Sequence, residues 1–195
     1  EDLVVISINS NDPNELSNYG PDKVLAIKDS TINNFTAQTF ANTISEFSKK
    51  EEASILVLSS TADSKYISPL LAVQLEAGLA SNVVSAPISR SPLVVKRSCF
   101  TNKAFNHTTL KGSINIICVS NNSFGINKKE SQPEIVNIDR SANNSKIKVE
   151  SVEKSSGSVS IADADIVISG GRGLKGPENW HLIEDLASTL NAATA

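Results

Sequence analysis

The first eighty residues alternate between runs that suit a buried strand and stretches that suit a helix. No other feature of the sequence restricts the fold as much. "LVVISI" (Leu3 to Ile8), "KVLAIKD" (Lys23 to Asp29) and "ASILVLSS" (Ala53 to Ser60) are short and largely apolar, the composition of strands covered on both faces of a parallel sheet. Between the second and third, the spacing predicts a helix over roughly Thr36 to Lys50. Phe40, Ile44 and Phe47 share one face there, and Lys49 and Lys50 suit the negative end of the helix dipole. "SPLLAVQLEAGLA" (Ser68 to Ala80) predicts a second helix, with Ser68 as N-cap, Pro69 at its first position and Leu71, Leu75 and Leu79 on one face. Strands alternating with helices make βαβ units. The expected class is therefore α/β, a Rossmann-like and mostly parallel sheet with helices on both faces. Val4, Ile6, Val24, Leu25, Ile55 and Val57 are expected in its core.

After Asn82 the pattern changes. "VVSAPI", "LVVKRSCF", "NHTTLKG", "INIICVS" and "KIKVESV" are short β-type pieces separated by turn residues, and no helix is predicted between Ala80 and Ser158. They predict additional strands, some antiparallel. Residues 1–152 are thus read as one α/β domain. The Ser/Gly-rich stretch 153–165 is read as a linker. "IVIS" then restarts a strand, Pro177 to Leu190 predicts a helix, and 166–195 reads as the truncated start of a second α/β domain. The last residues run off that helix with no evident stop signal and the chain holds no methionine, so the expectation is a piece of a longer protein.

Net charge is −3, which argues against a nucleic-acid binder, since neutralising phosphates takes clustered Lys and Arg. No apolar run reaches membrane-spanning length. Cys99 and Cys118 lie in strand-like runs without a CxxC partner, so two buried thiols are expected. His107 and His181 have no spacing that suits a metal or a catalytic triad. Ser169 lacks the G-x-S-x-G setting of a hydrolase.

The stretch "DADIVISGGRGLKGPENWHLIEDLA" carries the functional signal. Gly171, Gly173 and Gly176 match G-x-G-x-x-G after a strand and before a helix, where glycine lets backbone approach a ligand and the helix would aim free N–H groups at an anion. No Gly-Lys-Ser/Thr follows, which rules out a P-loop. Arg172 stands between glycines at the C-terminal edge of a strand, where α/β folds bind ligands, and its planar fork suits phosphate or a carbonyl-rich ring. A tight turn that needs glycine for geometry alone is the competing reading.

The run Ser169, Gly170, Gly171, Arg172, Gly173, Leu174, Lys175, followed by Glu178, Asn179, Leu186 and Ala187, resembles the start of the flavin-binding domain of the electron transfer flavoprotein alpha subunit. "GPDKVLAIKD" and "SPLLAVQLEAGLASNVV" resemble segments of the same family's first domain. The loop "STADSKYISP" and the run "ICVSNNSFG" depart from it. The resemblance implies FAD as cofactor, with Arg172, Gly170, Gly171 and Gly173 at the flavin. It also implies a beta subunit as partner and an electron carrier rather than an enzyme. Electrons would pass from flavin dehydrogenases, such as the acyl-CoA dehydrogenases of fatty acid β-oxidation, to a quinone oxidoreductase. Localisation would be cytoplasmic, or the mitochondrial matrix in a eukaryote, with no membrane insertion. In the family a further strand and helix precede the segment that "EDLVVISI" resembles, and other FAD contacts lie beyond the loop, so this chain alone is expected not to retain FAD. The alternative is a stand-alone adenine-nucleotide-binding Rossmann-like module. A third reading, a hydride-transferring dehydrogenase, rests on G-x-G-x-x-G alone.

Overall fold

A computed structural model describes residues 2–30, 32, 34–140, 147, 149–153, 161 and 164–195. The chain divides into two compact units, Glu1–Glu150 and Ser151–Ala195. Of the stretch 153–165 read as a linker, residues 154–160, 162 and 163 lie outside the described residues.

The first unit opens with β1 (Val4–Ile8), β2 (Lys23–Asp29), α1 (Ala37–Lys50), β3 (Ile55–Ser59), α2 (Ala62–Gln74) and β4 (Gly78–Val83). It continues through β5 (Ser89–Arg90), β6 (Leu93–Cys99), β7 (Ala104–Leu110), β8 (Asn115–Val119) and β9 (Glu134–Arg140). This is the α/β class with added antiparallel strands that the sequence predicts. The parallel strands fall into two sheets. One is β1-β2-β9, parallel throughout. In the other, β3, β8 and β4 run parallel, and β6, β5 and β7 extend it by antiparallel pairing.

Strand periodicity explains how the second sheet is packed. Side chains alternate across a strand, so Ile116 and Cys118 of β8 join Leu56, Ile67, Leu71 and Leu75 on one face. Ile117 faces the other way, into a cluster with Ala80, Val83, Leu93, Val95 and Leu110. Helix α1 serves both sheets: Phe47 packs on Leu25 and Ile27, and Ala41 joins the cluster around Leu71. Arg140, at the end of β9, reaches α1 and ties it down. Its Nη1 donates to Thr43 Oγ1 at 2.8 Å, and its Nη2 lies 3.0 Å from Glu46 Oε2. The ends of β1 and β2 are stitched by Asn9, which sits in the left-handed region (φ +53°) that asparagine tolerates. Its Nδ2 donates to the carbonyls of Asp29 and Ile32, and its Oδ1 accepts from the Asp29 N–H.

Several expectations need correction. Val24 and Leu25 are buried as expected, and Val4 and Ile6 are half-buried, but Ile55 and Val57 are 40% and 62% exposed. Among the described residues β3 is the last strand of its sheet, paired with β8 alone, and the face carrying these two residues is left open. The second helix begins at Ala62, not at Pro69. Thr61 caps it, its hydroxyl accepting from the Ser64 N–H, and this local bond outweighs the Pro69 signal, so Pro69 lies inside the helix. That helix ends at Gln74, with Glu76 at φ +49°, and Leu79 belongs to strand β4. β9 carries no clear strand signal in the sequence: "EIVNIDR" mixes charge with apolar residues, and its side chains are at most half covered. Of "KIKVESV", Lys146 and Lys148 lie outside the described residues, and the others form no strand.

The second unit contains β10 (Val167–Ile168), α3 (His181–Leu190) and β11 (Ala193–Thr194), with β10 and β11 parallel. The helix starts at His181 instead of Pro177, and it does have a stop: Asn191 at φ +50°, a left-handed C-terminal residue that turns the chain into β11. Ala187 and Ala193 are buried, whereas Leu182, Leu186 and Leu190 are exposed.

Both cysteines are free thiols, Cys118 buried and Cys99 half-buried. Burial pushes the Cys118 thiol up, and a hydrogen bond with Ser68 pulls in the opposite direction. Among the described residues, no helix is long and apolar enough to cross a membrane.

Candidate functional site

The glycine loop follows β10 at its C-terminal end, the edge where parallel strands of α/β folds present ligand sites. It is built from two short 3-10 turns in series, Arg172–Leu174 and Pro177–Asn179. Between them Lys175 takes φ +66°. The Leu174 N–H donates to the Gly171 carbonyl, and the Asn179 side chain donates back to the Leu174 carbonyl at 2.7 Å. That second bond clamps the loop. Pro177 stands at the first position of its turn, where its missing N–H leaves nothing unsatisfied. The expectation that a helix opens directly on the glycines is therefore corrected. A positive φ at Lys175 and the proline turn intervene, and the α3 N-terminus comes only at His181.

The four glycines differ in what they are for. A Cβ on Gly170 would collide with Leu174 and Trp180 and press on Ile183, so packing within this unit requires glycine there. A Cβ on Gly176 would meet the Glu178 carboxylate, the far end of a flexible side chain. Gly171 and Gly173 are different. A Cβ on either meets nothing within 4 Å, and neither has a positive φ. Nothing among the described residues needs glycine at these two positions. Arg172, between them, is exposed and has no carboxylate partner among the described residues.

The sequence thus brings Gly170, Gly171, Arg172 and Gly173 together on one loop, and the structure divides their roles. One glycine serves packing, and two leave room for close approach around an unengaged guanidinium. That arrangement fits one side of a site for an anionic or carbonyl-rich group. Asn179 and Trp180 act as the clamp and the packing partner of the loop. Trp180 is half-buried against Gly170.

The other candidates stay apart from chemistry. His181 is exposed, its Nδ1 2.9 Å from the Glu178 carbonyl, and His107 is exposed on β7. No cluster of His, Cys, Asp or Glu that could hold a metal occurs among the described residues. A cleft of about 490 Å³ lies at the C-terminal ends of β3 and β8, lined by Val57, Ser59, Val119, Asn121 and Phe124 among others. It is apolar and open to solvent, with no charged group in its lining.

Residues 2–143 match the electron transfer flavoprotein domain, and residues 160–195 match the electron transfer flavoprotein FAD-binding domain. The chain belongs to the electron transfer flavoprotein alpha subunit family. It is 28% identical over 182 residues to "Electron transfer flavoprotein subunit alpha" of Bacillus subtilis, covering 92% of this chain and 56% of that protein. The protein of the same name from Thermoanaerobacterium thermosaccharolyticum is 26% identical over 187 residues, covering 90% of this chain and 56% of that protein. A lactate dehydrogenase (NAD(+),ferredoxin) subunit of Acetobacterium woodii is 22% identical, covering 93% of this chain and 45% of that protein. The chain spans about half the length of the curated relatives it matches.

Proposed function

We propose that this chain is part of an electron-carrier subunit that pairs with a beta subunit and holds one side of FAD through Gly171, Arg172 and Gly173. Such a carrier takes electrons from flavin dehydrogenases and passes them to a quinone oxidoreductase. The observation that carries the reading is the pair of glycines in open space around an unpaired arginine, within the region that matches the family's FAD-binding domain. FAD supplies the electron-transfer chemistry when bound. The chain's own residues bind and position it. The two glycines let backbone come close, Asn179 and the Gly170–Trp180 contact fix the loop, and the Arg172 guanidinium puts a permanent positive charge beside the ring. A positive charge favours the form of the flavin that carries negative charge.

The test uses the complete alpha–beta pair. Arg172→Ala should lower the flavin reduction potential and loosen FAD, and Arg172→Lys should restore part of each, because a point charge on a flexible stem does not reproduce a planar fork. A tenfold change in an equilibrium corresponds to about 1.4 kcal/mol, well within reach of a spectroscopic redox titration. Unchanged potential and affinity in a folded Arg172→Ala pair would reduce the loop to turn geometry. The chain alone should purify colourless, since one loop cannot offset the roughly 4–15 kcal/mol of lost freedom on binding.

A further inference from the structure

Arg172 is not the only cation of the glycine loop. Lys175 closes the same 3-10 turn. Its N–H donates to the Arg172 carbonyl at 3.2 Å, a bond that brings the two Cα atoms within about 7 Å of each other. Leu174, between them, turns inward: a Cβ on Gly170 would strike both it and Trp180. Arg172 and Lys175 are exposed, and neither has a carboxylate partner among the described residues. The acid nearest in sequence, Glu178, lays its carboxylate against Gly176 and makes no ion pair with the lysine. The backbone at Lys175 is strained. With φ +66° and ψ −30° it stands at the centre of a tight turn, closed by the Gly176 N–H donating to the Leu174 carbonyl at 2.8 Å. This is the rare, strained form of the γ-turn. Glycine takes such angles without a clash at Cβ, and glycines stand nearby at 173 and 176, yet the strained position itself holds a lysine. Strain of this kind concentrates at ligand sites.

We propose that Lys175 binds the diphosphate of FAD, an inference that rests on the placement of FAD at this loop proposed above. Oxidised FAD carries its charge on the diphosphate, and its ring is neutral. An ammonium with no acid to answer it, on a loop that holds this ligand, has that one anionic group to meet. A compact point charge on a flexible stem suits phosphate, whereas the planar fork of Arg172 suits the carbonyl-rich ring. The two cations of one turn then have separate tasks. Arg172 acts on the ring, and so on the reduction potential. Lys175 acts on affinity alone, because the diphosphate carries the same charge in oxidised and reduced FAD. The γ-turn keeps an ammonium at a point of the loop where glycine would be the more stable residue.

The experiment uses the complete alpha–beta pair, freed of FAD and titrated back with it, in wild type, Lys175→Ala, Lys175→Gly, Lys175→Arg and Arg172→Ala. Affinity is read from flavin fluorescence, and the reduction potential of each loaded pair from a spectroscopic titration. Urea unfolding of this chain, followed at its single tryptophan, Trp180, reports the stability of the second unit. Lys175→Ala and Lys175→Gly should each weaken FAD about tenfold, the scale of one charge-assisted contact. Lys175→Arg should recover most of the loss, and the potential should stay in place in all three. Lys175→Gly should also unfold at higher urea than wild type, since it relieves the strain. A loss of affinity in a more stable variant does not come from misfolding. Salt should weaken FAD binding in wild type more than in Lys175→Ala. Wild-type affinity in Lys175→Ala, beside a loss in Arg172→Ala, overturns the assignment of Lys175 and leaves the loop at the flavin. Wild-type affinity and potential in both variants overturn the loop reading and this inference with it. A lowered potential in Lys175→Ala puts the lysine at the ring and overturns its assignment to the diphosphate.

Discussion

The two units carry the same kind of sequence signal and bury it to very different depths. In the first unit, strands of up to seven residues and two helices close around clusters in which Val24, Ala41, Leu71, Ala80, Val95 and Ile116 are fully buried. In the second, two strands of two residues each flank a helix whose buried apolar side chain is Ala187, while Leu182, Leu186 and Leu190 stay 56%, 48% and 44% exposed. A single βαβ turn offers a helix one narrow ribbon to lie on, too little to cover an apolar stripe. Apolar periodicity thus reports which face of a helix wants cover. It does not report what provides it.

The contrast predicts a graded series of effects. Leu71→Ala empties a fully enclosed site and should destabilise the first unit by about 2–5 kcal/mol in urea unfolding. Leu186→Ala, on the exposed stripe, should change stability by no more than about 0.5 kcal/mol. Comparable losses in the two variants would erase the distinction. Next in size, Gly170→Ala forces a methyl against Leu174 and Trp180 and should cost the second unit about 1–3 kcal/mol, read from Trp180 fluorescence during unfolding. Gly171→Ala and Gly173→Ala should leave the same curve unmoved, which sharpens the claim that these two glycines answer to something other than the fold.

The smallest effect is electrostatic. The hydrogen bond from Lys50, aided by the nearby Arg140 charge, holds the Glu46 carboxyl below its ordinary value. A depressed carboxylate stabilises the folded state above the unfolded pKa, and the contribution is lost as pH falls through the lower, folded one. Glu46→Gln should therefore cost the first unit a few tenths of a kcal/mol near neutral pH, about the scale of a part-exposed pair. The difference from wild type should vanish in acid. A gap that persists to low pH would mean that packing, not charge, carries the contact.

How much of this was legible in the sequence depended on range. β1, β2 and α1 were read nearly to the residue because their signals are local: β-branched runs, a face at i, i+4 and i+7, lysines in the last turn. α2 was misplaced because a proline after a serine imitates a helix start, while the operative cap was Thr61 seven residues earlier. β9 escaped because its strand character comes from pairing with β2, a partner more than a hundred residues away. In the loop, the glycine spacing and the arginine were visible. That Gly170 serves packing while Gly171 and Gly173 face open space was not, because it depends on where Trp180 and Ile183 fold back.

The outer side of β3 has a practical consequence. Among the described residues its N–H and C=O groups on that side have no strand neighbour, and Ile55 and Val57 stand exposed beside them. Such an edge is a template on which another chain can add a strand without any unfolding. Concentrated solutions of the isolated chain should thus lose material to intermolecular β-structure seeded at β3, at temperatures where the cluster around Leu71 is still intact. Shelf life in the test tube would be set by one strand's unguarded border and not by the free energy of the core.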